Sequence, residues 1–321
     1  MNKNDLIDYS VKLRQKKDKL KKLVNIGAAN NSSKSDYRII IPRQLFETSR
    51  ELESDMWYFN GFMIDCKGEL IVVDPGVDFY SRFSTSGLSI DKIRSVIVTH
   101  SHIDHIASLQ IILEKILKNK SKNVDLFISE TAYKENVSVY CSEKITKEEN
   151  IRIVLLKEKN GQFSDSILAN GKITFLPLFH SVPETFGFKI KIQGKKIGYL
   201  SDSGYSVKVK TNLGVFSPEE VKGKFVSIEE KREEIKRFFI DVDLSVVNIN
   251  NLHFNRHSKY HLSGWDILDI FKGSKVKKII LQHLSLINAE GEDSNYLYKL
   301  FFSDQSYDLV LPHYLGRIIE I

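Results

Sequence analysis

The chain has 321 residues, 42% hydrophobic and 27% charged, enough for one large domain or two small ones with a sizeable core. No apolar run reaches the roughly 18 to 20 residues that cross a bilayer, and Met1-Asn2-Lys3-Asn4-Asp5 leads into no signal-peptide core, so a cytoplasmic protein without membrane contact is expected. Cys66 and Cys141 make neither a disulfide framework nor a Cys-x-x-Cys motif, which leaves His and Asp to hold any metal, and the net charge of +6 favours a polyanionic partner only mildly because much of it sits in Arg14 to Lys22.

Leu6, Ile7, Val11, Leu13 and Leu20 among charged residues predict an amphipathic helix to about Lys22, and Asn30-Asn31-Ser32-Ser33-Lys34-Ser35 predicts a linker. Residues 1–36 thus form a helical extension and linker ahead of a domain over residues 37–321. Nucleic acid binding, dimer contacts or simple cover of the fold all suit that basic helix.

From Tyr37 the pattern shifts to short apolar runs, Ile39 to Ile41, Trp57 to Asp65 and Leu70 to Val73, the last two joined as a hairpin through Cys66-Lys67-Gly68-Glu69. Ser95 to Val98 is a further strand that runs into Thr99-His100-Ser101-His102-Ile103-Asp104-His105, after which Ile106 to Leu117 has helical spacing. Strands follow at Val124 to Ile128, Ile151 to Leu156, Lys172 to Leu178, Phe186 to Ile192 and Lys196 to Leu200. A charged helix is expected over Ile228 to Phe239, a strand at Leu244 to Ile249, a helix at Gly264 to Phe271 capped by Ser263 with Asp266 in its first turn, and a strand at Lys277 to Leu281. Such a mixture of α and β elements suggests layered sheets covered by helices.

The loop after Val98 sends several imidazole and carboxylate groups out of one tight turn, which is what a zinc-type centre needs for its short, fixed bonds. The cluster resembles the His-x-His-x-Asp-His signature of the metallo-β-lactamase superfamily. The likeness extends, in order, through Val73-Asp74-Pro75-Gly76, Phe179-His180-Ser181, Leu200-Ser201-Asp202 and Leu281-Gln282-His283. It implies an α/β, four-layer αββα metallo-β-lactamase sandwich with two mixed β-sheets flanked by helices, and a hydrolase domain over 37–321. It also implies two divalent metal ions, expected to be zinc with manganese or iron compatible. One would be held by His100, His102 and His180, the other by Asp104, His105 and His283, with Asp202 as the bridge and Asp74 in support.

Tyr260-His261-Leu262-Ser263-Gly264 resembles the His-small-polar turn of the ribonuclease Z and phosphodiesterase branch. That likeness implies a phosphodiesterase or nuclease acting on RNA, DNA or a nucleotide phosphodiester through a metal-bridging hydroxide, with Asp104 and His261 as the catalytic residues. His261 would stabilise developing charge or protonate the leaving oxygen. Hydrolysis of a lactone, thioester or other small carbonyl substrate is the alternative the same ligands permit, and a non-catalytic metal-binding module is a third. A phosphodiester substrate, nucleic acid among them, and a homodimer are the partners considered. The stretch from Gly204 to Tyr260 is longer than in compact relatives, and no Gly-Pro-rich arm of the kind that grips tRNA in ribonuclease Z is recognised. His253 and His257 are read as loop polar groups near His261, and His313 as structural.

Overall fold

Apolar runs rich in Ile, Val and Phe pair into two seven-stranded sheets and one three-stranded sheet. The computed structural model describes residues 36–42, 60–119, 123–148, 150–157, 166–168, 171–283, 301–303, 305–310 and 317–321. The helix and linker expected before Asp36, the first residues of the run from Trp57, and His313 lie outside the described residues.

In chain order the strands of the first large sheet begin with β1 (Tyr37–Ile41), β2 (Phe62–Cys66), β3 (Glu69–Val73), β4 (Ile93–Val98), β5 (Val124–Ser129) and β6 (Ile151–Leu156). Strands β7 (Ser166–Leu168), β8 (Gly171–Pro177), β9 (Phe186–Ile192) and β10 (Lys195–Leu200) start the second. The small sheet takes β11 (Ser206–Thr211), β12 (Gly214–Phe216) and β13 (Phe225–Lys231); β14 (Leu244–Asn248), β15 (Lys278–Gln282), β16 (Asp308–Val310) and β17 (Arg317–Glu320) follow. The large sheets run β17-β1-β2-β3-β4-β5-β6 and β16-β15-β14-β10-β9-β8-β7. Each is antiparallel on one side and parallel on the other: β3 to β6 are parallel in the first, and β10, β14, β15 and β16 in the second.

Alternation along each strand divides the side chains between two faces. Ile39, Phe62, Ile64, Val73 and Ile97 of the first sheet meet Ile173, Phe188, Ile190, Tyr199 and Ile280 of the second in one buried layer. On the outer face of the first sheet, Met63, Val72, Val96 and Val98 pack against α1 (Phe79–Thr85) and the helices that follow, α2 (Ile103–Ile106), α3 (Leu109–Asn119), α4 (Glu130–Asn136) and α5 (Val139–Glu148). Outside the second, Val247, Ile279 and Leu281 pack against α6 (Glu233–Phe239) and α7 (Gly264–Phe271). These are the four layers expected from the sequence, held by buried side chains that each contribute about 1.5–3 kcal/mol relative to exposure.

Three local expectations are corrected. The charged stretch from Ile228 begins as strand, and only Glu233–Phe239 is helical. Glu230 pairs across the small sheet with Lys208 Nζ at 2.7 Å, and Ile228 lies opposite Val209, as cross-strand neighbours rather than along a helix face. The single helix expected over Ile106 to Leu117 is broken between Ile106 and Leu109, where the Ser108 N–H and hydroxyl donate to the Pro75 and Gly76 carbonyls at 2.8 and 2.7 Å. The third correction is Cys66, which is the buried last residue of β2 rather than a turn residue, and burial pushes its thiol up to about 12.

Gly198 on β10 seats α6 against the sheet. A Cβ there would lie 2.8 Å from ring atoms of Phe239 and 3.1 Å from Val242. Gly198→Ala is therefore expected to cost about 1–3 kcal/mol by overpacking, read as a lowered thermal midpoint. The added Phe239→Leu change should recover part of that loss if the clash is the cause.

Candidate metal centre

Parallel strands that end together bring loops from different sheets to one rim. Asp74 follows β3, the His100 to His105 segment follows β4, Asp202 follows β10 and His283 follows β15, while His180 lies after β8, which runs in the same direction as β10. Gly204 lets the loops after β10 and β8 close against the segment that leads to His261. Its N–H donates to the Phe179 carbonyl at 2.8 Å, and a Cβ would come within 1.9 Å of the Lys259 carbonyl oxygen.

The result is a carboxylate ringed by imidazoles. Asp202 is 1% exposed, and its Oδ2 lies 3.4 Å from His283 Nε2, 3.5 Å from His105 Nε2, 3.7 Å from His261 Nδ1, 3.8 Å from His180 Nε2 and 3.9 Å from His100 Nε2. Neither that Oδ2 nor His100 Nε2 has a hydrogen-bond partner. Two buried polar atoms left so would each cost roughly 1–3 kcal/mol or more, and a cation between them removes the deficit. Ligand-capable atoms of His100, His102, His180 and Asp202 form one group and those of Asp104, His105, Asp202 and His283 a second, each with its atoms within 4.8 Å of one another. Asp202 belongs to both. The donor set of imidazole nitrogen and carboxylate oxygen fits zinc, manganese or iron.

Protonation follows the same layout. Burial, with the neighbouring His105, holds His100 well below the ordinary imidazole value, and burial pushes His180 down to about 4, so both present lone pairs. His105 is opposite: burial works against its charge, but the carboxylates of Asp104, Asp74 and Asp202 together hold it well above the ordinary value. That side of the site therefore favours positive charge, which a metal ion would supply in place of the proton.

Supporting residues fix which nitrogen faces inward. Asp74, at φ 45°, receives the Thr99 N–H at 2.7 Å on Oδ1. Its Oδ2 receives the Thr99 hydroxyl at 2.8 Å, the Tyr199 hydroxyl at 2.7 Å and His105 Nδ1 at 2.9 Å. His105 is thereby turned so that Nε2 faces Asp202. The Asn60 amide nitrogen also lies 2.9 Å from this Nε2 and must turn away if a cation binds there. His180 Nδ1 donates to the Tyr260 carbonyl at 3.0 Å, and Asn248 donates to Asp202 Oδ1 at 2.9 Å. Asn248 and Tyr199 escaped the sequence reading; the visible signal was a polar residue closing the apolar run Val246-Val247 and a tyrosine two residues before a strand-end Ser-Asp.

The remaining histidines separate. His261 stacks on His283 at 5.5 Å between ring centroids and meets His180 edge-on at 5.0 Å, so it is part of the cluster. His253 lies among Trp265 and Phe301, and His257 accepts a hydrogen bond from Arg256 at 3.0 Å.

Two buried sheets, four layers and His/Asp groups at one rim agree with a family model described as a beta-lactamase superfamily domain, which matches residues 70–217. Residues 70–217, a little under half of the chain, are what resembles a beta-lactamase superfamily domain. The chain is 24% identical over 239 residues to cAMP/cGMP-dependent 3′,5′-cAMP/cGMP phosphodiesterase B of Dictyostelium discoideum, covering 72% of this chain but only 19% of that much longer protein. It is also 23% identical over 267 residues to ribonuclease Z of Thermobifida fusca, covering 74% of this chain and 82% of the relative. Among solved structures the metallo-β-lactamase fold protein YhfI from Bacillus subtilis superposes with a TM-score of 0.62 at 16% identity, covering 88% of this chain and 99% of YhfI. Human tRNase Z, short form, superposes at 0.56 and 15%, covering 89% and 99%. These structural likenesses show the metallo-β-lactamase fold.

Asp74→Asn should lower divalent-ion affinity about 10- to 100-fold by freeing the His105 ring, and Tyr199→Phe should lower it less, as measured by titration of chelator-treated protein with zinc. Equal affinity in Asp74→Asn and the unaltered protein would remove Asp74 from the support of the site.

Proposed function

We propose that the chain is a binuclear metal-dependent hydrolase that cleaves phosphodiesters in RNA, DNA or a nucleotide. The observation that carries this is the placement of five imidazole nitrogens within 3.4–3.9 Å of Asp202 Oδ2, four of them arranged with His102 and Asp104 into two groups that share Asp202. One ion would be held by His100, His102, His180 and Asp202, the other by Asp104, His105, His283 and Asp202, with zinc the first candidate. When bound, two such ions supply an activated water and charge compensation for the phosphoryl oxygens.

The chain's own residues then divide the work. Asp104 stays ionised: burial opposes this, but His105 and His283 hold its carboxyl well below the usual range. Asp202, backed by Asn248, keeps one oxygen turned toward both groups. Burial pushes His261 down to about 3, which makes it a neutral imidazole at physiological pH. In that state it stabilises developing phosphoryl charge by donating a hydrogen bond, the first of the two roles considered from the sequence. To protonate a leaving oxygen it would first have to gain a proton from the substrate complex. The names of the relatives, a phosphodiesterase and a ribonuclease, support the same substrate class.

Metal-reconstituted protein is expected to hydrolyse bis(p-nitrophenyl) phosphate but neither a lactone nor a thioester, with activity lost in Asp202→Ala. Cleavage of the carbonyl substrates alone would replace this function with the alternative hydrolase. His261→Ala should lower kcat by about 10- to 100-fold while leaving metal content unchanged, and unchanged turnover would remove His261 from the chemistry.

A further inference from the structure

Arg232 has no part in the assignments above, yet it reaches the rim of the site. It follows β13, the last strand of the small sheet, and its guanidinium carbon lies 3.9 Å from the centroid of the Phe179 ring. Phe179 immediately precedes His180, is 39% exposed, and stacks on Tyr260 with centroids 5.4 Å apart and planes at 23°. Tyr260 precedes His261, and its carbonyl fixes His180. A cation, two stacked rings and two site histidines thus form one run of contacts ending at the metal centre.

The sheet that carries Arg232 is anchored rather than loosely appended. Lys231 Nζ bonds to Asp269 on α7 at 2.8 Å, and the Tyr205 hydroxyl donates to the same carboxylate. Ser206 donates to Asp266, Phe225 stacks on Trp265 at 4.4 Å, and the Arg232 N–H donates to the Tyr205 carbonyl at 3.0 Å. Helix α7 opens three residues after His261, so Arg232 and His261 share one support and are held in register.

The guanidinium itself is under-used. Its Nη1 donates to the Tyr205 carbonyl at a long 3.4 Å, and among the described residues no carboxylate forms an ion pair with it. Its strongest charged neighbour, Glu234, lies beyond ion-pair distance, while Glu230 pairs with Lys208 and Asp266 bonds to Ser263 and Ser206. A guanidinium stacked on an aromatic ring keeps its edge donors free, and that fork matches two phosphate oxygens.

We propose that Arg232 binds a phosphate flanking the scissile one, so that the site selects a chain of linked phosphodiesters, such as a single-stranded oligonucleotide, over an isolated phosphodiester. This rests on the phosphodiester function proposed above.

The test compares the unaltered protein with Arg232→Gln, which keeps a donor for the Tyr205 carbonyl, and Arg232→Ala. Binding of a fluorescein-labelled oligothymidylate is followed by anisotropy in EDTA, where nothing turns over, and hydrolysis of bis(p-nitrophenyl) phosphate is measured with metal restored. Both variants are expected to bind the oligonucleotide about tenfold more weakly, with the dependence of log Kd on log salt reduced by about one, while hydrolysis of the single diester changes less than twofold. Unchanged affinity and salt dependence overturn the proposal, as does an equal loss on both substrates, which would mark Arg232 as a prop for the Phe179 loop. Oligonucleotide binding that needs Arg232 without any diester hydrolysis would sustain the anion contact and reject the catalytic function. Hydrolysis without measurable oligonucleotide binding would do the reverse.

Discussion

A carboxylate taken out of water is expensive unless positive charge comes with it, and Asp202 finds it in His105 of the first large sheet and His283 of the second, the two imidazoles shifted toward the charged form. His100 and His105 come from the first sheet, His180 and His283 from the second. The site is therefore also a joint. Asp74 repeats the arrangement one layer further out: it stands at the end of β3, yet accepts a hydrogen bond from Tyr199 of β10. The Thr99 and Ser201 hydroxyls, 2.8 Å apart, close a second bridge between the same two edges. Buried polar contacts of this kind are poor sources of net stability but specify one alignment, and here the alignment they specify is that of the two sheets.

Local backbone conformation serves the same end. Asp74 and His283 both take left-handed φ, at 45° and 58°, which is uncommon for residues other than glycine, asparagine or aspartate and costs of order 1–3 kcal/mol for a bulky side chain. Each is the residue at which a parallel strand turns its side chain back over the rim. The strain is offset by the hydrogen bonds that meet the side chains there, Thr99, Tyr199 and His105 for Asp74 and Asp104 for His283 at 3.0 Å.

How much of this could be read without coordinates depended on how far apart the partners lie in the chain. The helix from Gly264 was legible because its start is a local device: the Ser263 hydroxyl accepts the Asp266 N–H, and Asp266 accepts the Ser263 N–H in return. The seven clustered His and Asp residues were legible because most sit within a short motif and the rest end recognisable apolar strands. Strand β13 was not, because Glu229, Glu230 and Lys231 beside Arg232 and Glu233 have the composition of a solvated helix, and what makes them a strand is β11, some twenty residues earlier. Asn248 and Arg232 were invisible for a stronger version of the same reason: each acts on a loop from a different strand, and nothing in its own neighbourhood marks it.

The small sheet occupies the crossover between β10 and β14, parallel neighbours in the second sheet. A connection of this kind must travel from one end of the sheet to the other whatever its length, and lengthening a surface loop adds little entropy cost. Asp202 lies before the insertion and Asn248 after it, each held by its own strand. Chain can therefore be added or removed there over evolutionary time without moving the reacting centre, which makes this crossover the natural place for one scaffold to acquire a new substrate preference.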